Sequence, residues 1–278
     1  YSVQIRAVNS AGAGNASLTA TATPVTVPTA PLSVVATPGN ASISLNWNAP
    51  ASNGGATITD YEVEYSTNGG STWFSFINGT SAATSASITS LTNGTSYTFR
   101  VSAVNSVGVG VASVWSTSVA PRTVPTAPTN LAIVAGAGSI TASWTAASSG
   151  GSTITDFIVE YSTDGNLWTT FNDGLSTSTS TTITGLTNGT AYYVRVSAVN
   201  VAGSSTAVVS GSTATPKTTP GAPSVSAIAA GNQSLSVSFT AGATGGSVIT
   251  GYQYSINGGS TWTTAAGTSN PITISGLT

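Results

Sequence analysis

Shifted by about 95 residues, the chain falls on top of itself, and a repeat of that length confines it to an array of similar modules. Leu91-Thr92-Asn93-Gly94-Thr95-Ser96-Tyr97 returns as Leu186-Thr187-Asn188-Gly189-Thr190-Ala191-Tyr192. Each tyrosine leads into a near-identical segment, Arg100-Val101-Ser102-Ala103-Val104-Asn105 and then Arg195-Val196-Ser197-Ala198-Val199-Asn200. Trp47, Trp144 and Phe239 hold one position in three copies. Each repeat is long enough to bury a core of its own.

Inside a repeat the pattern is that of strands. Ser42-Ile43-Ser44-Leu45-Asn46-Trp47 alternates polar with apolar, the mark of a strand with one buried face. In Asp60-Tyr61-Glu62-Val63-Glu64-Tyr65 the apolar residues point one way and the carboxylates the other. Asn68-Gly69-Gly70, Asp164-Gly165 and Asn257-Gly258-Gly259 supply the positive φ that tight hairpin turns need. A strand from Tyr97 to Asn105 and a last one near Val111–Val119 complete seven per repeat, with no helical periodicity. The expected fold is all-β: tandem seven-stranded antiparallel β-sandwiches.

Proline marks the joints. Pro24/Pro28/Pro31, Pro121/Pro125/Pro128 and Pro216/Pro220/Pro223 each lead through Ala-Pro into a new strand. Proline fixes φ and removes a donor, so these stretches read as short, semi-stiff linkers. The organisation expected is: 1–23, the last two strands of a module; 24–29, linker; 30–122, a complete module; 123–126, linker; 127–215, a second complete module; 216–221, linker; 222–278, the first five strands of a third.

These residues carry a resemblance. Each complete module resembles a fibronectin type III domain in its entering proline, its Trp47 or Trp144, and its Tyr-x-Val-Glu-Tyr type strand. The most specific element is Leu-x-x-Gly-x-x-Tyr (Leu91 to Tyr97, Leu186 to Tyr192). It is similar to a tyrosine corner, whose hydroxyl bonds back to upstream backbone. The Thr/Ser/Gly-rich flavour is similar to tandem copies in secreted and surface proteins of bacteria. The resemblance implies a structural core of Trp47, Trp144, Phe239, Tyr97, Tyr192, Leu91 and Leu186.

Composition narrows the chemistry. Cysteine and histidine are absent, and Lys217 is the one lysine. No Ser-His-Asp, Cys-His or histidine-based metal constellation can be built, so no catalytic residue, cofactor or metal is expected and the chain is read as no enzyme. Only 4% of residues are charged and the net charge is −2, which offers nucleic acid and anionic lipid no electrostatic footprint. No apolar run approaches the ~18–20 residues of a membrane span. A neutral Ser/Thr/Asn-rich surface points to an extracellular or cell-surface location.

Few side chains remain as candidates. Asp60, Glu62 and Glu64 line one strand face, which reads as a solvated face; Asp156 and Glu160 stand there in the second copy, and Gly251, Gln253 and Ser255 in the third. Arg100 and Arg195 sit opposite, placed for cross-strand pairing. Trp73, Trp168 and Trp262 recur after the hairpin turn, where they either pack on the sheet or stack on a sugar ring. Asn15, Asn40, Asn78, Asn93, Asn188 and Asn232 match the N-glycosylation acceptor pattern.

The functional expectation is a non-catalytic structural stretch of an extracellular fibre, stalk or adhesin. The alternatives are spacer modules of a secreted polysaccharide-degrading enzyme and a carbohydrate-binding array. Partners are then other copies or neighbouring modules, with surface polysaccharide for the binding alternative. Tyr1–Asn9 matches Tyr97–Asn105, and Leu277-Thr278 matches Leu91-Thr92. Two expectations follow from that match. Either the sequence is an excerpt of a longer array, with 1–23 unstructured, or 1–23 of one chain completes 222–278 of another.

Overall fold

The computed structural model describes residues 1–278 and holds strands and turns but no helix. It divides into two compact units: Tyr1–Thr123 with Gly150–Thr153, and Val124–Ser149 with Ile154–Thr278.

The first unit contains a complete antiparallel sandwich. One sheet orders its strands Leu32–Gly39, Ser42–Asn48, Ser85–Ile88; the other orders Gly108–Val109, Thr98–Asn105, Ile58–Ser66, Phe74–Phe76. Alternation in sequence becomes alternation in burial. Ile43, Leu45 and Trp47 face inward while Ser44, Asn46 and Asn48 are exposed. Across from them Tyr61, Val63, Phe99, Val101 and Ala103 close the core. Burying each large apolar side chain contributes about 1.5–3 kcal/mol before the entropy of ordering it is counted.

The last strand departs from the sequence expectation. Its ladder is regular only at Gly108–Val109; beyond that Gly110, Ser113, Ser116 and Val119 donate to the carbonyls of Ala103, Val101, Phe99 and Tyr97. Three residues of the edge therefore advance for every two of its neighbour. A regular ladder would give the amides of Val101 and Phe99 carbonyl acceptors, and this advance leaves them without. The hydroxyls of Ser113 and Ser116 accept from them instead, at 3.0 and 3.1 Å. Both serines are buried for that purpose. Ser205 and Ser210 do the same for Ala198 and Val194 in the second unit.

At the corner, the Tyr97 hydroxyl accepts from the Thr92 amide at 3.2 Å, and Tyr192 accepts from Thr187 at 3.2 Å. Tyr97→Phe should therefore destabilise the sandwich by about 0.5–1.5 kcal/mol. Faster hydrogen exchange at Thr92 is the local readout, and unchanged exchange there would count against the bond.

The second unit repeats the sandwich. Thr129–Ala135, Ser139–Thr145 and Ser180–Thr184 form one sheet. Thr169–Phe171, Asp156–Ser162, Tyr193–Asn200, Gly203–Ser204 and Val208–Val209 form the other. Its core gathers Ile140, Trp144, Phe157, Val159, Val194 and Val196. The same unit ends in a smaller set of strands. Ser224–Gly231, Ser234–Thr240 and Ile272–Ser275 make one sheet, and Gln253–Tyr254 pairs with Thr263–Thr264. Here only Phe239, Ala265 and Ile274 are buried among the hydrophobics.

Two sequence expectations change. Residues 1–23 are not unstructured: Ser2–Val3 pairs with Ala20–Thr21, and Val8–Asn9 with Gly12–Ala13. The third copy's register also shifts. Glu64 lies opposite Ser75 and Glu160 opposite Thr170, two residues beyond their tryptophans; Gln253 lies opposite Thr264, two beyond Trp262. Gln253, not Ser255, therefore stands where Glu64 does. The segment Gly245–Gly259 is two residues shorter than Gly54–Gly70, an even deletion that keeps each remaining side chain on its face.

Candidate functional site

The recurrent tryptophans lie beside the recurrent arginines. Thr98–Asn105 pairs with Ile58–Ser66 so that Arg100 faces Glu64, and Nε to Oε2 is 2.7 Å. The guanidinium carbon then lies 4.4 Å from the centre of the Trp73 ring, whose edge meets Trp115 at 5.7 Å. In the second sandwich Arg195 is held by both oxygens of Glu160, at 2.6 and 2.9 Å, and lies 4.4 Å over Trp168. The Glu160 bond, opposed by a smaller desolvation, raises the Arg195 pKa and keeps its charge fixed. Such a stack is worth about 0.5–1 kcal/mol at an exposed site, and the ion pair about as much.

The consequence for sugar binding is geometric. A guanidinium covers one face of Trp73 and of Trp168, so neither ring stands free as a platform. Trp262 differs. It is 62% exposed and no cation lies over it, because the third set has no strand equivalent to Thr98–Asn105.

Most of the carboxylates are occupied, and Glu62 is exposed. Asp60 accepts from the amides of Tyr61 and Ser81, both at 2.8 Å, and Asp156 accepts from Ser176 at 2.9 Å. They fasten the loop after the short hairpin strand. Asp164 accepts from the amides of Asn166 and Leu167 and from the Ser162 hydroxyl, and these bonds hold its carboxyl below the ordinary 3.8. It organises a turn, as the amides of Asn68 and Asn257 do in the other copies. No group of three or more histidine, cysteine or carboxylate side chains converges to hold a metal ion. Trp47 and Trp144 are buried with their indole N–H unpaired, and Leu91 packs half-buried at the edge of the same core as Tyr97. Leu186 and Tyr192 lie inside the second core, and Phe239 is buried against Tyr252, 4.5 Å between ring centres.

Two of the asparagines in acceptor patterns are structural. Asn93 Oδ1 accepts from the Ala41 amide and Asn188 Oδ1 from Gly138, each at 2.8 Å. Each clamps its corner to the first hairpin of its sandwich.

The linkers are fastened rather than free. In the first unit Thr26 and Thr29 donate to the carbonyls of Gly54 and Ser52, at 2.8 and 3.0 Å. Asn105 gathers the joint: its Nδ2 donates to Thr26 and Asn53 carbonyls at 2.7 and 2.8 Å, while its Oδ1 accepts from Val107 at 2.9 Å. Gly54 must be glycine there, since φ is +72° and a Cβ would lie 2.0 Å from the Thr26 carbonyl oxygen. In the second unit the linker makes four backbone bonds. Its Pro216 carbonyl accepts from Gly189 and its Lys217 amide donates to Gly136, at 2.9 and 3.0 Å. Thr218 and Gly221 donate to Gly245 and Ala243, both at 2.8 Å. A Cβ on Gly246 would come within 2.4 Å of the Gly189 nitrogen, so the two turns meet backbone to backbone. Asn105 and the buried serines escaped the sequence reading. The signal available was their recurrence, Asn9, Asn105 and Asn200 at one place.

The family model described as fibronectin type III domain matches residues 27–119 and 126–211. Chitinase A1 of Niallia circulans is 37% identical over 220 residues, covering 70% of this chain and 28% of that protein. Slow-type myosin-binding protein C of Homo sapiens is 28% identical over 182 residues, 58% of this chain and 16% of the relative. The chain thus spans less than a third of either. Among solved structures, the chicken CNTN1 FN1-FN3 domains match with a TM-score of 0.36 at 18% identity, covering 90% of this chain and 89% of theirs.

Proposed function

We propose that this chain, which belongs to the fibronectin type III domain family, is a run of non-catalytic spacer modules in an extracellular or cell-surface protein. The observation that carries the reading is the fastened linker. Four backbone bonds along residues 216–221, two to loops of the sandwich before and two to the loop at 243–245 after, suit a part whose work is to hold distance and direction. The occupied carboxylates support the same reading, since Asp60, Asp156, Glu64 and Glu160 serve loops and cross-strand pairs. A fibre, stalk or adhesin is the setting that a neutral, charge-poor surface fits best.

A second setting has its own support. The 37% identity to chitinase A1 favours spacer modules within a secreted polysaccharide-degrading enzyme. Gene sequence on either side of these residues separates the two, because only that setting puts a catalytic domain beside them. Direct carbohydrate binding is the weaker alternative, since arginines cover Trp73 and Trp168.

The test is the mobility of the linker. Backbone amide order parameters at Lys217, Thr218 and Gly221 should approach the ~0.85 of a rigid backbone. Values below about 0.6 would mark a flexible tether and sink the spacer reading. In the same sample, chito-oligosaccharide should leave tryptophan fluorescence unchanged. A saturable shift that disappears in Trp262→Ala would move the function to glycan binding.

A further inference from the structure

We propose that Asn78 is a site of spontaneous covalent modification, at which the side-chain amide is lost through a cyclic imide and water converts the residue to aspartate or isoaspartate. The chemistry needs an asparagine whose side-chain carbonyl carbon can meet the nitrogen of the next residue. That next residue must carry no Cβ in the way, and its N–H must not already be held by an acceptor; glycine in an unbonded loop meets both needs. Asn-Gly occurs at Asn53, Asn68, Asn78, Asn93, Asn188 and Asn257, so the sequence offers several candidates and the structure chooses between them.

All of these but Asn78 are locked. Asn68 Oδ1 accepts from the Ser66 hydroxyl and the Thr72 amide while its Nδ2 donates to Thr72 Oγ1, at 2.8, 3.0 and 2.8 Å. Asn257 makes the same three bonds with Ser255 and Thr261. Asn93 and Asn188 clamp their corners, and the amides that would attack them, Gly94 and Gly189, donate to the Pro121 and Pro216 carbonyls, both at 2.9 Å. Asn53 Oδ1 holds the Gly55 amide at 2.9 Å, and the Gly54 amide is given to the Ser52 hydroxyl at 3.1 Å. Each of them must break at least two bonds before its carbonyl can turn onto the nitrogen it would have to meet.

Asn78 is held by one long bond, from Nδ2 to the Tyr61 carbonyl at 3.3 Å, and neither its Oδ1 nor the Gly79 amide has a partner. Gly79 stands at φ +73° with open space where a Cβ would be, and Ile77 on the other side is 93% exposed. The loop is anchored at both ends, by Phe76 in its strand and by Ser81, whose amide Asp60 accepts. Between those anchors residues 77–80 make no backbone bond. They border an open hollow of about 350 Å³ shared with Asp60 and Glu62, which gives water access to the imide. The second sandwich carries one product as its native residue. Asp173 stands three residues before Ser176, whose amide Asp156 accepts, just as Asn78 stands three before Ser81. Aspartate is therefore compatible with this loop.

In the reaction the Gly79 nitrogen gives its proton to hydroxide and bonds to Asn78 Cγ; the Cγ–Nδ2 bond breaks, and ammonia leaves with a proton from water. Water then opens the imide. Breaking the new nitrogen–Cγ bond gives aspartate, and breaking the original backbone bond gives isoaspartate. One water is consumed, one ammonia is released, and nothing is oxidised or reduced. Each event adds one negative charge to a chain whose net charge is −2. It also changes the balance within the hollow. Ile158 takes the place of Glu62 in the second sandwich, opposite Ser197 as Glu62 is opposite Ser102, so Asp173 has no glutamate there to repel it. In the first sandwich the new carboxylate faces the hollow together with Glu62.

The experiment ages the purified 278-residue chain at neutral and mildly alkaline pH and maps its peptides by mass spectrometry. The peptide carrying Asn78 should gain one dalton, and its isoaspartate fraction should accept methyl groups from an isoaspartate-specific carboxyl methyltransferase. The rate should rise with hydroxide and exceed the rates at Asn53, Asn68, Asn93, Asn188 and Asn257 by tenfold or more. Isoelectric focusing should show the intact chain passing into one more acidic band, and Asn78→Asp should focus with that band while both complete sandwiches stay folded. Gly79→Ala should slow the conversion tenfold or more. Asn78→Gln, which leaves the glycine backbone untouched, should abolish the acidic band. An Asn78 that stays intact while a synthetic peptide of residues 74–82 is converted overturns the proposal. Equal conversion at Asn68 overturns it too, since that residue has the same Asn-Gly sequence and differs in its bonds.

Discussion

Trp47→Ala should cost the first sandwich about 3–5 kcal/mol, whereas Trp47→Phe should cost well under half of that. Trp47 is 4% exposed, between Leu45 and the Tyr61 ring, whose centre lies 5.3 Å away edge-on. Alanine leaves a large void among Ile43, Leu45 and Phe99, which cannot collapse because all are held in ladders. Phenylalanine loses less volume and, more to the point, no hydrogen bond. The indole N–H is buried without an acceptor, so the native residue carries a desolvation cost that phenylalanine removes. The chain contains its own version of the experiment: Phe239 stands at that position in the third set and meets Tyr252 edge-on. Trp144 is arranged as Trp47 is, with Phe157 at 5.4 Å, and should respond alike. Residue-resolved hydrogen exchange separates the two sandwiches within one chain. A Trp47→Phe loss as large as that of Trp47→Ala would show that the indole nitrogen is bonded after all.

The second large effect is expected at Asn105. Asn105→Ala should destabilise the first unit by about 2–3 kcal/mol, from losing the three hydrogen bonds of a buried side chain. The side chain is 4% exposed and serves two masters: its amide holds the Thr26 and Asn53 carbonyls, and its oxygen holds the Val107 amide of the adjacent turn. Asn105→Asp keeps the acceptor but sets a carboxylate against two carbonyls, so it should do at least as much harm. The distinguishing readout is the linker. Exchange at the Thr26 amide, bonded to Gly54, should accelerate in either variant while strand Ser42–Asn48 stays protected. If Thr26 is unaffected, Asn105 stabilises its turn alone and the joint is held by backbone bonds only. The equivalent Asn200 bonds the Ser149 carbonyl at 2.7 Å and the Ala202 amide at 2.8 Å, so the device recurs.

Repeat, alternation and turn chemistry sufficed for the fold class, because each is written in neighbouring residues. Period-two alternation in Ser42–Asn48 places Ile43, Leu45 and Trp47 on one face whatever lies across from them. Gly-bearing pairs such as Asn68-Gly69 declare a turn without knowledge of the strands they join. The family resemblance rested on such local spacing, and the family match spans both complete modules. Tertiary structure alone decided what polar side chains do. Ser113 and Ser116 carry no signal of burial along the chain, yet they are buried, because an edge advancing three residues to its neighbour's two needs hydroxyls where carbonyls are missing. Spacing along the chain leaves Trp73 and Trp168 between packing on the sheet and stacking on sugar, and cross-strand register lays Arg100 and Arg195 over them. Gln253 took the place of Glu64 only once hairpin pairing revealed a segment two residues shorter. In each case the deciding partner lies on another strand, and a distance across strands has no signature in the spacing along one.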